Sequence, residues 1–244
     1  MKILSIDSSG LVASVAIMED ETMIAEYTVN NKMTHSQTLL PMIDEIFSLT
    51  QTDKESLDAI AIAAGPGSFT GLRIGAATAK GLGLALDIPI IRVPTVDALA
   101  YNITGFEGLV CPMMDARRKQ VYTGLYWCLG DEFKVFKKQC ALGVSEIIED
   151  INKENEPVIF LGDGVPVNKE YIEKNIATQY SYAPAHMSRQ RAGAVGALAL
   201  KYAEDPAYPE IRQETAADFV PEYLRLSQAE REMLEKEGKD GKQD

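Results

Sequence analysis

Hydrophobic and polar positions change period along the chain in a regular order. Lys2 to Asp7, Val12 to Met18 and Met23 to Val29 are three apolar runs of strand length, with Gly10 and the polar stretch Glu19 to Thr22 supplying turns between them. Thr34 to Leu49 takes a helical period, and Asp58 to Ala64 returns to a strand. Ser68 to Leu86 predicts a second helix, and Ile90 to Val93 a short strand closed by Pro94. Strands joined through a helix are expected to lie parallel, by a right-handed crossover.

The second half repeats this plan. Leu109 to Asp115, Gln120 to Cys128 and Glu132 to Lys137 predict three strands. A helix over Ser145 to Asn152, a strand over Pro157 to Leu161, and helices over Val165 to Asn175 and Arg189 to Glu204 follow. Asp7 closes the first strand of one half and Asp115 that of the other. Gly65-Pro66-Gly67 and Gly162-Asp163-Gly164 follow the corresponding fourth strands. The echo predicts a duplicated α/β unit with a cleft between its halves. Asp205 to Arg225 holds three prolines and no clear period, so an extended tail over the surface is expected. Ser227-Gln228-Ala229-Glu230 has capping-box spacing for a short helix, and the Gly, Lys and Asp after Glu237 predict disorder.

Composition narrows the setting. The chain has 244 residues, 46% hydrophobic and 25% charged, enough for one large domain or two small ones. It holds no apolar run of about 18 residues, so no membrane-spanning helix is expected. The amino terminus reads as a strand, not a signal peptide. Cys111, Cys128 and Cys140 are an odd number without metal-ligand spacing, which fits a reduced, cytoplasmic compartment. A net charge of -12 argues against a chain that holds nucleic acid by itself. Arg117, Arg118 and Lys119 form the dense basic cluster, which reads more simply as a solvated turn.

Candidate chemistry is sparse. Asp7-Ser8-Ser9-Gly10 offers an acid and two hydroxyls between two strands. The group could hold a metal-bound phosphate, or be a turn whose side chains bond their own backbone. Gly65-Pro-Gly-Ser-Phe-Thr-Gly-Leu-Arg-Ile-Gly75 lets the chain turn sharply into a helix that Ser68 or Thr70 can cap. Free amides at such a helix start favour an anion, but Gly-Lys-Ser/Thr is missing, so this is not a P-loop. The two histidines, His35 and His186, make no His-x-x-x-His pair, and no Gly-x-Ser-x-Gly elbow occurs. His35 reads as a packing or capping residue, and Cys111 and Cys128 as core.

The two N-terminal helices carry the clearest signal. Gly71, Gly75, Ala79 and Gly83 form a stripe at four-residue spacing, with Ala77, Gly81 and Ala85 as a second stripe beside it. Each interior glycine costs about 0.8–1 kcal/mol against Ala, which close packing must offset. One stripe can pack on the sheet, and which one faces outward is open. In the preceding helix Leu39, Leu40, Met42, Ile43, Ile46, Phe47 and Leu49 cover more than one face. Surplus small and apolar faces on adjacent helices point to a helical bundle shared with another chain.

Ile3-Leu-Ser-Ile-Asp-Ser-Ser9, Gly65 to Gly75, Met114-Asp-Ala-Arg117 with Val121-Tyr122, and Pro221-Glu-Tyr-Leu-Arg225 resemble the bacterial TsaB (YeaZ) family, in the same order and over nearly the whole chain. The resemblance implies an α/β, actin-like (ASKHA) fold of two ribonuclease-H-like halves, residues 1–97 and 98–225, followed by 226–244. It implies a non-catalytic subunit of the complex that forms threonylcarbamoyladenosine next to the anticodon of tRNA. The partners it implies are the catalytic paralogue TsaD, the ATPase TsaE, a second copy of the chain in isolation, and tRNA only through the complex. The paralogue's metal-binding histidine pair has no counterpart here, so no catalytic residue, metal ligand or cofactor is carried over. Asp7, Ser8, Ser9, Gly67, Ser68, Asp115 and Arg117 would form a degenerate nucleotide cleft. Arg117 stands where kinases of this fold have a glycine. For pairing, the resemblance points to Leu39, Met42, Ile43 and Ile46 on the first helix. On the second it points to Gly71, Ile74, Gly75, Thr78, Ala79 and Leu82. The alternative is a stand-alone ASKHA-type ATPase or small-molecule kinase, favoured by Asp7, Ser8 and the Gly65 loop and disfavoured by Arg117.

Overall fold

Alternating side chains on doubly covered strands build the first sheet. The computed structural model describes residues 1–31, 33–130, 132–204 and 213–225. Strand β1 (Lys2–Asp7) sends Ile3 to one face and Leu4 and Ile6 to the other, and both faces are buried. Strand β4 (Ala59–Ala63) does the same with Ala59, Ala61 and Ala63 against Ile60 and Ile62. Such two-sided burial explains why these strands read as continuous apolar runs. Strands β2 (Ala13–Glu19), β3 (Thr22–Val29) and β5 (Ile90–Val93) complete the first half, with helices α1 (His35–Thr50) and α2 (Phe69–Leu86) between them.

The second half follows the short helix α3 (Thr95–Tyr101). It comprises β6 (Leu109–Asp115), β7 (Gln120–Leu129), β8 (Glu132–Gly143), α4 (Val144–Glu154), β9 (Val158–Leu161), α5 (Gly164–Asn175) and β10 (Tyr180–Tyr182). Helix α6 (Ala192–Glu204) and strand β11 (Gln213–Glu214) close the described chain. The sheets run β11-β5-β4-β1-β2-β3 and β10-β9-β6-β7-β8. In each half the first three strands are antiparallel neighbours, and the fourth and fifth add in parallel beside the first. This order, present twice, is the duplicated α/β unit that the pattern predicts, and it has the actin-like architecture of two ribonuclease-H-like halves that the resemblance implies.

Three apolar clusters stack the layers. Helices α1 and α2 cover the outer face of the first sheet, and α4 and α5 the outer face of the second. Helices α3 and α6 lie in the shared core between the sheets. Small residues let α6 approach closely: a Cβ on Gly196 would lie 2.8 Å from Ser5 Oγ and 2.7 Å from Met18 Cγ. Helix α6 packs on β1, β2 and β4, and β11 pairs antiparallel with β5. Helix α6 and strand β11 thus return to the first sheet, although they follow the second half in the chain.

Four elements depart from the sequence expectation. Helix α3 is buried at every position from Thr95 to Ala100, so it shows no amphipathic period. Strand β8 runs on to Gly143, its last residues pairing with Gln120 to Thr123. Strands β10 and β11 have three and two residues, too few for a periodic signal. Residues 226–244, with their proposed helix and disorder, lie outside the described residues. Among the described residues no helix is long and apolar enough to cross a membrane.

Candidate functional site

The cleft between the halves has a volume of about 480 Å³. Its walls come from the β1–β2 turn, the start of α2, the β6–β7 turn and the chain from Glu222 to Arg225. Of the predicted nucleotide residues, Ser9, Gly67, Ser68, Asp115 and Arg117 line it, whereas Asp7 and Ser8 do not. Asp7 is 1% exposed, and its Oδ1 accepts from Ser9 N (2.9 Å) and Ser9 Oγ (2.6 Å). Burial pushes the Asp7 carboxyl up to about 6, against the pull of those two bonds. Ser8 Oγ donates to Gly71 O at 2.9 Å. The acid and first hydroxyl thus belong to the turn and to its junction with α2, which corrects their assignment to a phosphate site.

The opposite wall is a tight turn. Arg117, Arg118 and Lys119 all take left-handed backbone angles, with φ of 61°, 56° and 60°. Asp115 Oδ1 accepts from Arg117 N at 2.8 Å, and Asp163 Oδ1 accepts from Asp115 N at 3.1 Å. Burial raises the Asp163 carboxyl, offset in part by that amide and by Arg189.

The tail crosses the mouth of the cleft. Glu222 N donates to Ala64 O at 2.7 Å, and Arg225 Nη1 donates to Ala116 O on the facing half. Gln139 Nε2 donates to Gly65 O (3.1 Å) and Glu222 Oε2 (3.3 Å). The Tyr223 and Phe69 rings lie 4.8 Å apart. Gly65 has φ 122°, and a Cβ there would stand 2.1 Å from Glu222 O, so the tail's path requires glycine. The Pro221–Arg225 motif and the Gly162-Asp163-Gly164 echo were the sequence signals for these cleft residues, though neither revealed its role.

Nucleophilic and metal chemistry is thinly supplied. His35 Nε2 bonds Gly10 O at 2.8 Å, a packing role at the start of α1. Cys111 and Cys128 are core thiols that burial pushes up to about 12. Among the described residues no three His, Cys, Asp or Glu side chains group as a metal site.

The helical face is decided by glycine contacts. Cβ atoms on Gly71 and Gly75 would lie 2.1 Å from Ser8 O and 2.3 Å from Ser8 Oγ, and one on Gly83 2.8 Å from Ala216 Cβ. Ala79 is fully buried. The first stripe therefore packs inside, against the β1–β2 turn and the tail. Around Gly81 an added Cβ would meet nothing within 4 Å, so the second stripe faces outward. Leu39, Met42, Ile43 and Ile46 also turn inward, onto the sheet. Of the predicted contact residues only Ile74, Thr78 and Leu82 are partly exposed. Buried side chains give a partner nothing to touch, so the assignments of Leu39, Met42, Ile43, Ile46, Gly71, Gly75 and Ala79 are corrected. The open face of α2 instead presents Ala77, Gly81, Leu84 and Ala85, while on the adjoining α1 Leu40 and Leu49 are left exposed on opposite flanks of that helix. Leu40, Leu49 and Leu84 are 55%, 66% and 62% exposed, high for leucines on neighbouring helices.

The family model described as "TsaD: tRNA N6-adenosine threonylcarbamoyltransferase" matches residues 22–233. A Bacillus subtilis protein named tRNA threonylcarbamoyladenosine biosynthesis protein TsaB is 34% identical over 238 residues, covering 96% of this chain and 99% of that one. The chain belongs to the TsaB family. An Escherichia coli TsaB is 37% identical over 128 residues, a match spanning 52% of this chain and 55% of the relative. A solved structure named YeaZ from Pseudomonas aeruginosa shares the fold with a TM-score of 0.73 at 23% identity, over 91% of this chain and all of that one.

Proposed function

We propose that this chain is the non-catalytic subunit that pairs with the catalytic paralogue TsaD in forming threonylcarbamoyladenosine on tRNA. The observation that carries the pairing is the outward stripe of α2. Glycine in an exposed helix interior costs stability and gives nothing back within the fold, unless another backbone comes close. Gly81, between Ala77 and Ala85 and next to exposed Leu84, leaves room for a partner helix. The same face serves self-pairing when the paralogue is absent. TsaE joins the assembled pair, and tRNA is held through the complex, because a net charge of -12 repels a polyanion at long range.

A non-catalytic role is supported by how the cleft is furnished. Asp7 and Ser8 are engaged in the fold, Arg117 occupies the second loop, and the tail crosses the entrance. A stand-alone ATPase is the second reading, favoured by the cleft's volume and its serine-lined wall. The deciding experiment is threonylcarbamoyl transfer to tRNA with threonylcarbamoyl-adenylate supplied. The chain alone is expected to give no product, the paralogue with the chain to give product, and Gly81→Leu to lose the stimulation at least tenfold. Product from the isolated chain, or full stimulation by the variant, would contradict the reading.

A further inference from the structure

Helix α2 carries a cation that the fold leaves without an anion. Among the described residues of the first half, Lys2, Lys54 and Arg92 pair with Glu19, Asp44 and Glu214. Lys80 Nζ donates to Ala217 O (2.8 Å) and Phe219 O (3.0 Å) of the tail. Arg73 reaches neither a carboxylate nor a carbonyl among the described residues, and its guanidinium instead lies over the Phe69 ring, 4.8 Å from the centroid. No acidic residue occurs between Phe69 and Leu86, so the usual helix partners three and four positions away are missing. With 36 acidic against 24 basic side chains in the chain, a cation without an acid stands out.

The stack holds this cation without using its donors. Phe69 also meets the Tyr223 ring, with the centroids 4.8 Å apart, so the platform is tied to the tail as well as to the helix. Stacking engages the face of a guanidinium, whereas its five N–H donors lie in the plane, where a carboxylate can take two at once. Arg73 is exposed, so those donors meet water in the isolated chain. It lies one turn before exposed Ala77 and about 80° around the helix from Gly81. Lys80, which bonds the tail, lies on the same side, so Arg73 stands between the open stripe and the tail. A charge at the edge of an interface guides encounter and fixes orientation, and salt screens its effect.

We propose that the partner meeting the open face of α2 presents a carboxylate to Arg73 at the tail-side rim of the contact. The carboxylate presupposes the pairing with the TsaD paralogue proposed above, and it gives that paralogue's surface a negative charge at this edge. The test measures association and dissociation rates of the full chain with that paralogue at low and high sodium chloride. Wild type, Arg73→Gln, Arg73→Lys and Gly81→Leu are compared, each checked for fold content by circular dichroism. Wild-type association is expected to slow as salt rises. Arg73→Gln is expected to associate at least about fivefold more slowly at low salt, with a flatter salt dependence, and Arg73→Lys to recover part of the rate. A residue that only packs on Phe69 would leave the salt dependence untouched. If Gly81→Leu weakens pairing while Arg73→Gln keeps the wild-type rate and salt dependence, the α2 face stands and the carboxylate is overturned. If neither variant alters pairing, the face itself is wrong and the carboxylate falls with it. Unchanged association in Arg73→Gln with loss of tRNA by the assembled pair would assign the guanidinium to phosphate, which also overturns the proposal.

Discussion

Two buried acids show how single residues in this chain serve the fold. Asp97 on α3 is 7% exposed, and its carboxylate accepts from Tyr126 OH (2.7 Å) and Tyr202 OH (3.0 Å). Burial pushes its carboxyl up to about 6, although both tyrosines pull it down. A carboxyl that holds its proton more tightly folded than unfolded contributes stability at low pH. That contribution is complete below about 4, the unfolded value, and is lost as pH rises through about 6. Asp97→Asn is therefore expected to leave stability near pH 4 unchanged and to raise it at pH 8 by about 3 kcal/mol relative to the parent chain. Denaturant unfolding of both proteins from pH 4 to 8 reads the difference; a constant difference across the range would contradict the burial account. Asp7 was legible in the sequence as a motif residue. Its inward orientation was not, because the contact that turns the β1–β2 loop, Ser8 with Gly71, spans 63 positions.

Among the elements, α2 was the most legible and α1 the most misleading. Four-residue spacing of small residues made both α2 stripes visible, but only the neighbouring turn decides which one is inside. Gly75→Leu should drive a side chain into Ser8 and cost more than about 3 kcal/mol, whereas Gly81→Leu should leave the melting curve intact or slightly raised. Circular dichroism melts of the two variants check this; equal melting would mean that the stripes are not distinguished as described. The apolar surplus of α1 read as an outer face because Leu40 and Leu49 were counted with the others. In the fold Leu39, Met42, Ile43, Ile46 and Phe47 are all absorbed by the sheet, and those two leucines alone of the seven are left outside. Helix α3 was missed for the converse reason: burial on all sides leaves no period to read.

For the whole molecule, the duplicated strand order was legible because each half repeats the same alternation of strand and helix, closed by an acid after its first strand. The return of α6 and β11 to the first sheet was not, since it depends on small-residue contacts such as Gly196 with Ser5. The resulting layers leave α1 and α2 on one outside face, and the tail tied across the cleft on another side of the first half. In the proposed pairing that helical face meets the partner, with α2 as the centre of contact. Sedimentation velocity of the chain mixed with its TsaD paralogue measures that directly, with wild type and Gly81→Leu compared at equal fold content. The account predicts a complex with wild type and at least tenfold weaker association with the variant; a folded Gly81→Leu chain that associates as tightly as wild type would contradict it.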